Sequence, residues 1–253
     1  MILDTDNDGK SDAWVSVSEG QVTKLARDTD RDGKPDFTTE FSRGEGQPVR
    51  EVQVKADTGQ VAAQTEFEQG VTSKKQADEN GDGRPDHWWY YLGGRLSKED
   101  RDTDGDGRVD ESKHYRGEQI ARVERDEDRD GRFEKIDVIE NGKRVRREVE
   151  DKNGPLTLVY DASGSRVLRR ERDTNGDGRP DIVVALAPAT GTVLREDRDL
   201  NGDGRPDVSA YYENGQVVRR EISGEYLRAQ KAPSAAAPGV NVETRDFRKL
   251  PGT

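Results

Sequence analysis

A nine-residue pattern, D-x-[DN]-x-D-G-[KR]-x-[DE], occurs seven times in this 253-residue chain, starting at Asp4, Asp28, Asp78, Asp102, Asp126, Asp173 and Asp199. The starts lie 24, 50, 24, 24, 47 and 26 residues apart. A unit of about 24 residues therefore recurs, and each doubled gap holds a unit that lacks the pattern. Asp57-Thr58-Gly59 marks the first such unit and Asp151-Lys152-Asn153-Gly154 the second, which makes nine units. Self-similarity at a fixed period means a stacked array or a propeller, because a unit this short buries its apolar face only against neighbours.

Oxygen-bearing side chains at alternate positions of a tight loop suit a hard cation, with Gly at position six for the sharp turn and a backbone carbonyl at position seven. Positions one, three, five, seven and nine supply the candidate ligands. They are Asp4, Asp6, Asp8, Lys10 and Asp12, then Asp28, Asp30, Asp32, Lys34 and Asp36. The third and fourth loops give Asp78, Asn80, Asp82, Arg84 and Asp86, and Asp102, Asp104, Asp106, Arg108 and Asp110. The fifth gives Asp126, Asp128, Asp130, Arg132 and Glu134. The last two give Asp173, Asn175, Asp177, Arg179 and Asp181, and Asp199, Asn201, Asp203, Arg205 and Asp207. Lys and Arg enter only through their carbonyls. Up to seven Ca²⁺ ions are expected.

Composition sharpens that expectation. The chain is 38% charged and 29% hydrophobic, with net charge −11 and mean hydropathy −1.10. So little apolar surface ordinarily leaves a chain disordered, since burial cannot offset the entropy of ordering. Bound ions can supply what the core lacks. Seven divalent ions would move the net charge from −11 to about +3 and relieve most of the self-repulsion. There is no cysteine, hence no disulfide, thiolate ligand or Cys nucleophile. No stretch reaches membrane-span length and no signal peptide precedes Asp4, so a mature product or an excised piece of something longer is expected.

The unit from Asp199 to Glu221 shows the architecture: DLNGDGRPD, then VSAYY, then ENGQ, then VVRRE. Asn-Gly between apolar-alternating runs is a strong hairpin signal. Related turns stand at Glu19-Gly20, Gly93-Gly94, Arg116-Gly117, Asn141-Gly142 and Ser163-Gly164. Pro35, Pro85, Pro180 and Pro206 precede the strands, where a missing N–H is tolerated. Five residues past position nine the side chain is always apolar or aromatic: Val17, Phe41, Tyr91, Tyr115, Ile139, Leu186 and Tyr212. After the turn an apolar residue returns at Val22, Leu96, Ile120, Val145, Val193 and Val217. Polar residues alternate with these, as in an antiparallel sheet with a wet side. The expected fold is all-β: a meander of about 18 short antiparallel strands in nine ~24-residue hairpins, forming an elongated ribbon or solenoid. A five-bladed propeller is the alternative. The array is expected over residues 1–226, with almost no helix. Residues 227–253 read as an Ala/Pro-rich linker or tail, able to cap the array.

An EF-hand or dockerin loop needs an acid at position twelve, and only one of the seven copies, with Asp137, has it. Here that position holds Val15, Thr39, Trp89, Lys113, Asp137, Val184 and Ala210. Asp199-Leu200-Asn201-Gly202-Asp203-Gly204-Arg205-Pro206-Asp207 resembles the calcium loops of FG-GAP repeats in integrin α-type propellers. It is also similar to thrombospondin type 3 repeats, and YYENGQVVRRE looks like MORN-type hairpins. These resemblances imply calcium binding and a hairpin topology over residues 1 to about 222.

The expected function is a secreted or cell-surface structural or adhesive protein, rigidified by calcium and able to assemble with itself. The alternative is a carbohydrate- or protein-binding module that uses His87, Trp88, Trp89, Tyr90 and Tyr91, with Trp88 and Tyr90 opposite Tyr91 and best placed for contact. An enzyme is not expected: His87 and His114 are the only histidines, and no nucleophile–base set or phosphate loop is present. The runs Arg144–Arg147 and Arg169–Arg172 are interspersed with Glu and read as a solvated face with cross-strand pairs, not a nucleic-acid patch.

Overall fold

The computed structural model describes residues 1–151 and 154–231. Each turn signal makes a hairpin; in several, two successive residues take positive φ, as in Asn141 (51°) with Gly142 (74°) and Asn214 (50°) with Gly215 (76°), while at Gly117 and Gly164 the glycine does so without a positive-φ neighbour. Nine hairpins succeed one another. The first five are β2 (Ala13–Ser18) with β3 (Gln21–Arg27), β4 (Phe37–Phe41) with β5 (Pro48–Val54), β6 (Val61–Glu68) with β7 (Val71–Ala77), β8 (His87–Leu92) with β9 (Arg95–Arg101), and β10 (Glu111–Arg116) with β11 (Gln119–Arg125). The rest are β12 (Lys135–Glu140) with β13 (Lys143–Asp151), β14 (Gly154–Tyr160) with β15 (Val167–Arg172), β16 (Ile182–Leu186) with β17 (Val193–Arg198), and β18 (Val208–Glu213) with β19 (Gln216–Ile222). A short β1 (Ile2–Leu3) pairs with β2, which makes nineteen strands.

All pairings are antiparallel and join strands adjacent in sequence. The result is one open meander, and the propeller is excluded. Its blades would need breaks between four-stranded sheets, whereas the ladder here runs from hairpin to hairpin, as in Arg27↔Phe37 and Arg101↔Glu111. Among the described residues, substantial packing occurs only between neighbouring strands, so the sheet they form is a single layer.

The buried hydrophobic side chains among the described residues are small or few: Ala13, Ala26, Val123, Val184, Leu186 and Ala210. One face carries the expected apolar stripe near the turn edge, in cross-strand pairs such as Tyr91↔Leu96, Tyr115↔Ile120 and Leu186↔Val193. One expected pair differs. A bulge between Val138 and Ile139 sets Ile139 opposite Arg144, so Val145 drops out of the stripe.

Beside the stripe, charge replaces a core. Lys113 lies 2.9 Å from Glu111, Glu111 3.0 Å from Arg125, and Arg125 3.2 Å from Asp137. Asp137, 2% exposed, also meets Arg147 at 2.7 Å and Arg144 at 2.8 Å. The Arg runs therefore split by strand alternation. Arg146 and Arg169 stay on the wet side, but pair within their own strands, with Glu148 (2.9 Å) and Glu171 (2.6 Å), and not across strands as expected. Arg144, Arg147 and Arg172 instead turn to the striped face, where Arg172 is 6% exposed and bonds Asp151 at 2.9 and 2.8 Å.

The array ends at Ile222. One unexpected element comes next, α1 (Gly224–Lys231), whose start is capped by Ser223 Oγ accepting from the Tyr226 amide at 3.0 Å. Its short, polar run of residues has no apolar period to read. Residues 227–231 of the expected linker or tail belong to α1; the rest of it, the cap it was expected to form, and Lys152-Asn153 lie outside the described residues.

Candidate metal centres along one sheet edge

Six acidic loops join a second hairpin strand to the next first strand and the first joins β1 to β2, so all seven fall on the same edge of the sheet, opposite the Gly turns. In each loop the position-one carboxylate organises the chain by accepting amides. Asp28 Oδ1 accepts from Arg31 N (2.7 Å) and Oδ2 from Gly33 N (2.7 Å). Asp102 does the same with Gly105 N and Gly107 N, both at 2.7 Å. The glycine at position six is required there: φ is 92° at both Gly33 and Gly107, a region that L side chains avoid. Position five accepts from the position-seven amide, as in Arg108 N→Asp106 Oδ1 at 2.7 Å.

Position nine is held by position two, a role the pattern did not signal. Thr103 donates to Asp110 Oδ2 through both its amide (2.6 Å) and its hydroxyl (2.5 Å), and Thr29 Oγ1 donates to Asp36 at 2.6 Å. Thr5 and Thr174 repeat the arrangement. The recurrence of Thr at position two was the available clue.

Carboxylate oxygens converge within 4.8 Å in four loops: Asp4, Asp6 and Asp8; Asp28, Asp30 and Asp32; Asp102, Asp104 and Asp110; and Asp126, Asp128, Asp130 and Glu134. Only the last brings all four acids together. In the first two the position-nine acid stands apart with its Thr, and in the third Asp106 leans to Arg108 at 3.7 Å. The loops starting at Asp78, Asp173 and Asp199 place Asn80, Asn175 and Asn201 at position three. There the side-chain carbonyl accepts the position-five amide at 2.8–2.9 Å.

Electrostatics record the crowding. Asp30 titrates above its ordinary value: the Asp32 amide pulls it down, but desolvation and the charges of Asp32 and Asp36 push harder upward. Asp28 is desolvated, which raises it, yet amides from Gly33 and Arg31 hold it below the ordinary range. This all-oxygen donor set, with carboxylates close enough to repel, fits a hard divalent cation.

Adjacent loops touch. Arg31 reaches back to Asp6 at 3.0 Å and Arg129 to Asp104 at 3.2 Å, while Arg108 Nη1 donates to Asp130 O at 3.1 Å. The first metal-free unit also contributes a cation: Lys55 Nζ lies 2.8 Å from Asp78 Oδ2. The hydrogen bond from Lys55 leads the causes holding Asp78 low.

The aromatic cluster divides as strand alternation requires, Trp88 and Tyr90 on one face and Trp89 and Tyr91 on the other. Tyr90 has Lys74 and Lys98 at 5.7 and 5.5 Å over its ring, so its faces are already engaged. His87 is buried between Glu79 (3.0 Å) and Glu99 (2.9 Å), and its ring packs 3.5 Å from Trp89. Among the described residues, no helix is long and apolar enough to cross a membrane.

The sequence matches no protein family, and no curated protein matches it. A solved structure described as accessory secretory protein 1,2 and 3 in Streptococcus pneumoniae is similar at 12% identity and TM-score 0.28, over 50% of this chain and 21% of that one. So weak a likeness carries no argument, and this chain spans about a fifth of that one.

Proposed function

We propose that this chain is a calcium-stiffened structural or adhesive rod, working outside the cell where calcium is abundant, and not an enzyme. One observation carries the reading: seven acidic loops stand along one edge of a sheet that, among the described residues, has no second layer and almost no apolar core. Bound Ca²⁺ would supply positive charge to the side chains of positions one, three, five and nine and to the position-seven carbonyls. Each loop after the first connects two strands of different hairpins, so ordering a loop fixes the register of one hairpin on the next. Loops that touch their neighbours pass that order along the edge.

Loops of this type in extracellular modules fill at roughly 10⁻⁴–10⁻³ M calcium. Secretion or surface display is inferred from that range as part of the proposal, as is assembly with further copies through the open strand edges β1 and β19. Thermal melting monitored by circular dichroism tests the central claim. Millimolar calcium is expected to raise the midpoint by tens of degrees over chelator. Equal midpoints would overturn it.

A further inference from the structure

Two grooves open on the striped face, and both lie beside hairpins that lack an acidic loop. One, beside β15 and β16, is lined by Arg166, Val167, Arg170 and Leu186 among others and has no aromatic ring in its lining. The other, at β5 to β8, is an open depression of about 540 Å³ on the sheet surface. Its chemistry is mixed. Phe67 and Tyr91 supply rings, Thr65 and Thr72 supply hydroxyls, and Glu51 and Lys75 supply an acid and a base.

Register fixes how these groups face one another. Glu51 pairs with Thr65, and Thr65 with Lys75, so acid, hydroxyl and base form one row across three strands. Acid and base thus stand roughly 10 Å apart, two strand spacings. Phe67 and Thr72 form the parallel row with Tyr91 one strand farther on. Further along this face, Glu111, Arg125, Asp137 and Arg147 neutralise one another. Glu51 and Lys75 do not: among the described residues neither has an ion-pair partner. Glu51 accepts only from Thr39 at 3.3 Å, and Lys75 rests 4.9 Å over the Trp89 ring.

We propose that this groove binds a hexopyranose residue of a neutral glycan. A pyranose has an apolar C–H face for the two rings and a rim of hydroxyls, each able to donate and accept. Glu51 can only accept, Lys75 can only donate, and the threonines do both, so the rim can be matched without a net charge on the ligand. Groups of both signs in one lining, with hydroxyls between them, match a ligand that donates and accepts around its rim and carries no net charge. The metal-free hairpin suits the role because its edge is held by Lys55 and not by an acidic loop. The inference does not rest on calcium binding.

Saturation-transfer NMR on the full chain, folded by circular dichroism, tests it with maltose, cellobiose and N,N′-diacetylchitobiose as probes. At least one is expected to receive saturation at its ring C–H protons. Glu51→Gln and Lys75→Met, neither of which leaves a buried charge, are each expected to weaken that sugar about tenfold. Trp88→Ala, on the opposite face, is expected to leave it unchanged. No transfer to any of the three sugars overturns the proposal, and so does binding that survives both groove substitutions. Repeating the experiment with chelator on protein that stays folded separates this result from the calcium reading.

Discussion

Asp137 shows what a residue must do in a sheet with no core. Three guanidiniums converge on it, and its carboxyl, desolvated yet hydrogen-bonded by Arg147, is held below its ordinary value of 3.8. Because the folded value is the lower one, its stabilisation is complete above 3.8 and is lost as pH falls through the folded value. Asp137→Asn keeps the shape and removes the charge, leaving three cations to repel. It is expected to cost about 3 kcal/mol, the low end for breaking a buried pair, since the arginines keep some contact with water. Denaturant titration at neutral pH measures the loss. Repeated below pH 4, the gap between variant and parent is expected to narrow.

Elements meet at both edges of the sheet, and each edge offers a test. At the turn edge, a Cβ on Gly164 would lie 3.0 and 3.1 Å from the Arg144 backbone N and O, whereas one on Gly117 would meet nothing within 4 Å. Both glycines have positive φ, so backbone strain largely cancels between the two alanine variants. Gly164→Ala is expected to melt lower than Gly117→Ala by the equivalent of about 2 kcal/mol, the cost of overpacking a fixed contact. At the loop edge, Lys55 competes with any cation for Asp78. Lys55→Met is expected to strengthen calcium binding at the third loop about fivefold, the worth of a partly exposed ion pair. The Gly83 amide, which donates to Asp78 Oδ2 at 3.0 Å, reports that site in an NMR titration.

At the scale of the whole molecule, nineteen strands spaced ~4.8 Å apart give an array on the order of 90 Å long. Each hairpin is stabilised only by its two neighbours, so cooperativity is local and the ends are weakest. Every residue of β19 is exposed, whereas β10 contains Ser112 at 0% exposure and β11 contains Val123 at 4%. Hydrogen exchange in calcium is expected to show β19 amides opening about tenfold or more faster than those of β10 and β11. Uniform protection along the chain would mean that the array unfolds as one unit.

Period, loop chemistry and turn residues are local properties. From them the sequence alone determined the hairpin count, the strand alternation, the position of the acidic loops and the scarcity of apolar core. Asn-Gly and Asp-x-Asp-x-Asp-Gly act within a few residues, so they read the same before and after folding. What the tertiary structure alone decided depends on which strands lie side by side. Continuous pairing across every loop excluded a closed ring, and register turned Arg144 and Arg147 from a wet face onto the buried Asp137, and Arg172 onto Asp151. The same register carried Lys55 to Asp78 and brought Glu51, Thr65, Lys75, Phe67 and Tyr91 to one groove. None of these partners is a fixed short distance away in the chain. Their meeting is set by the ladder and its bulges, which no local pattern encodes.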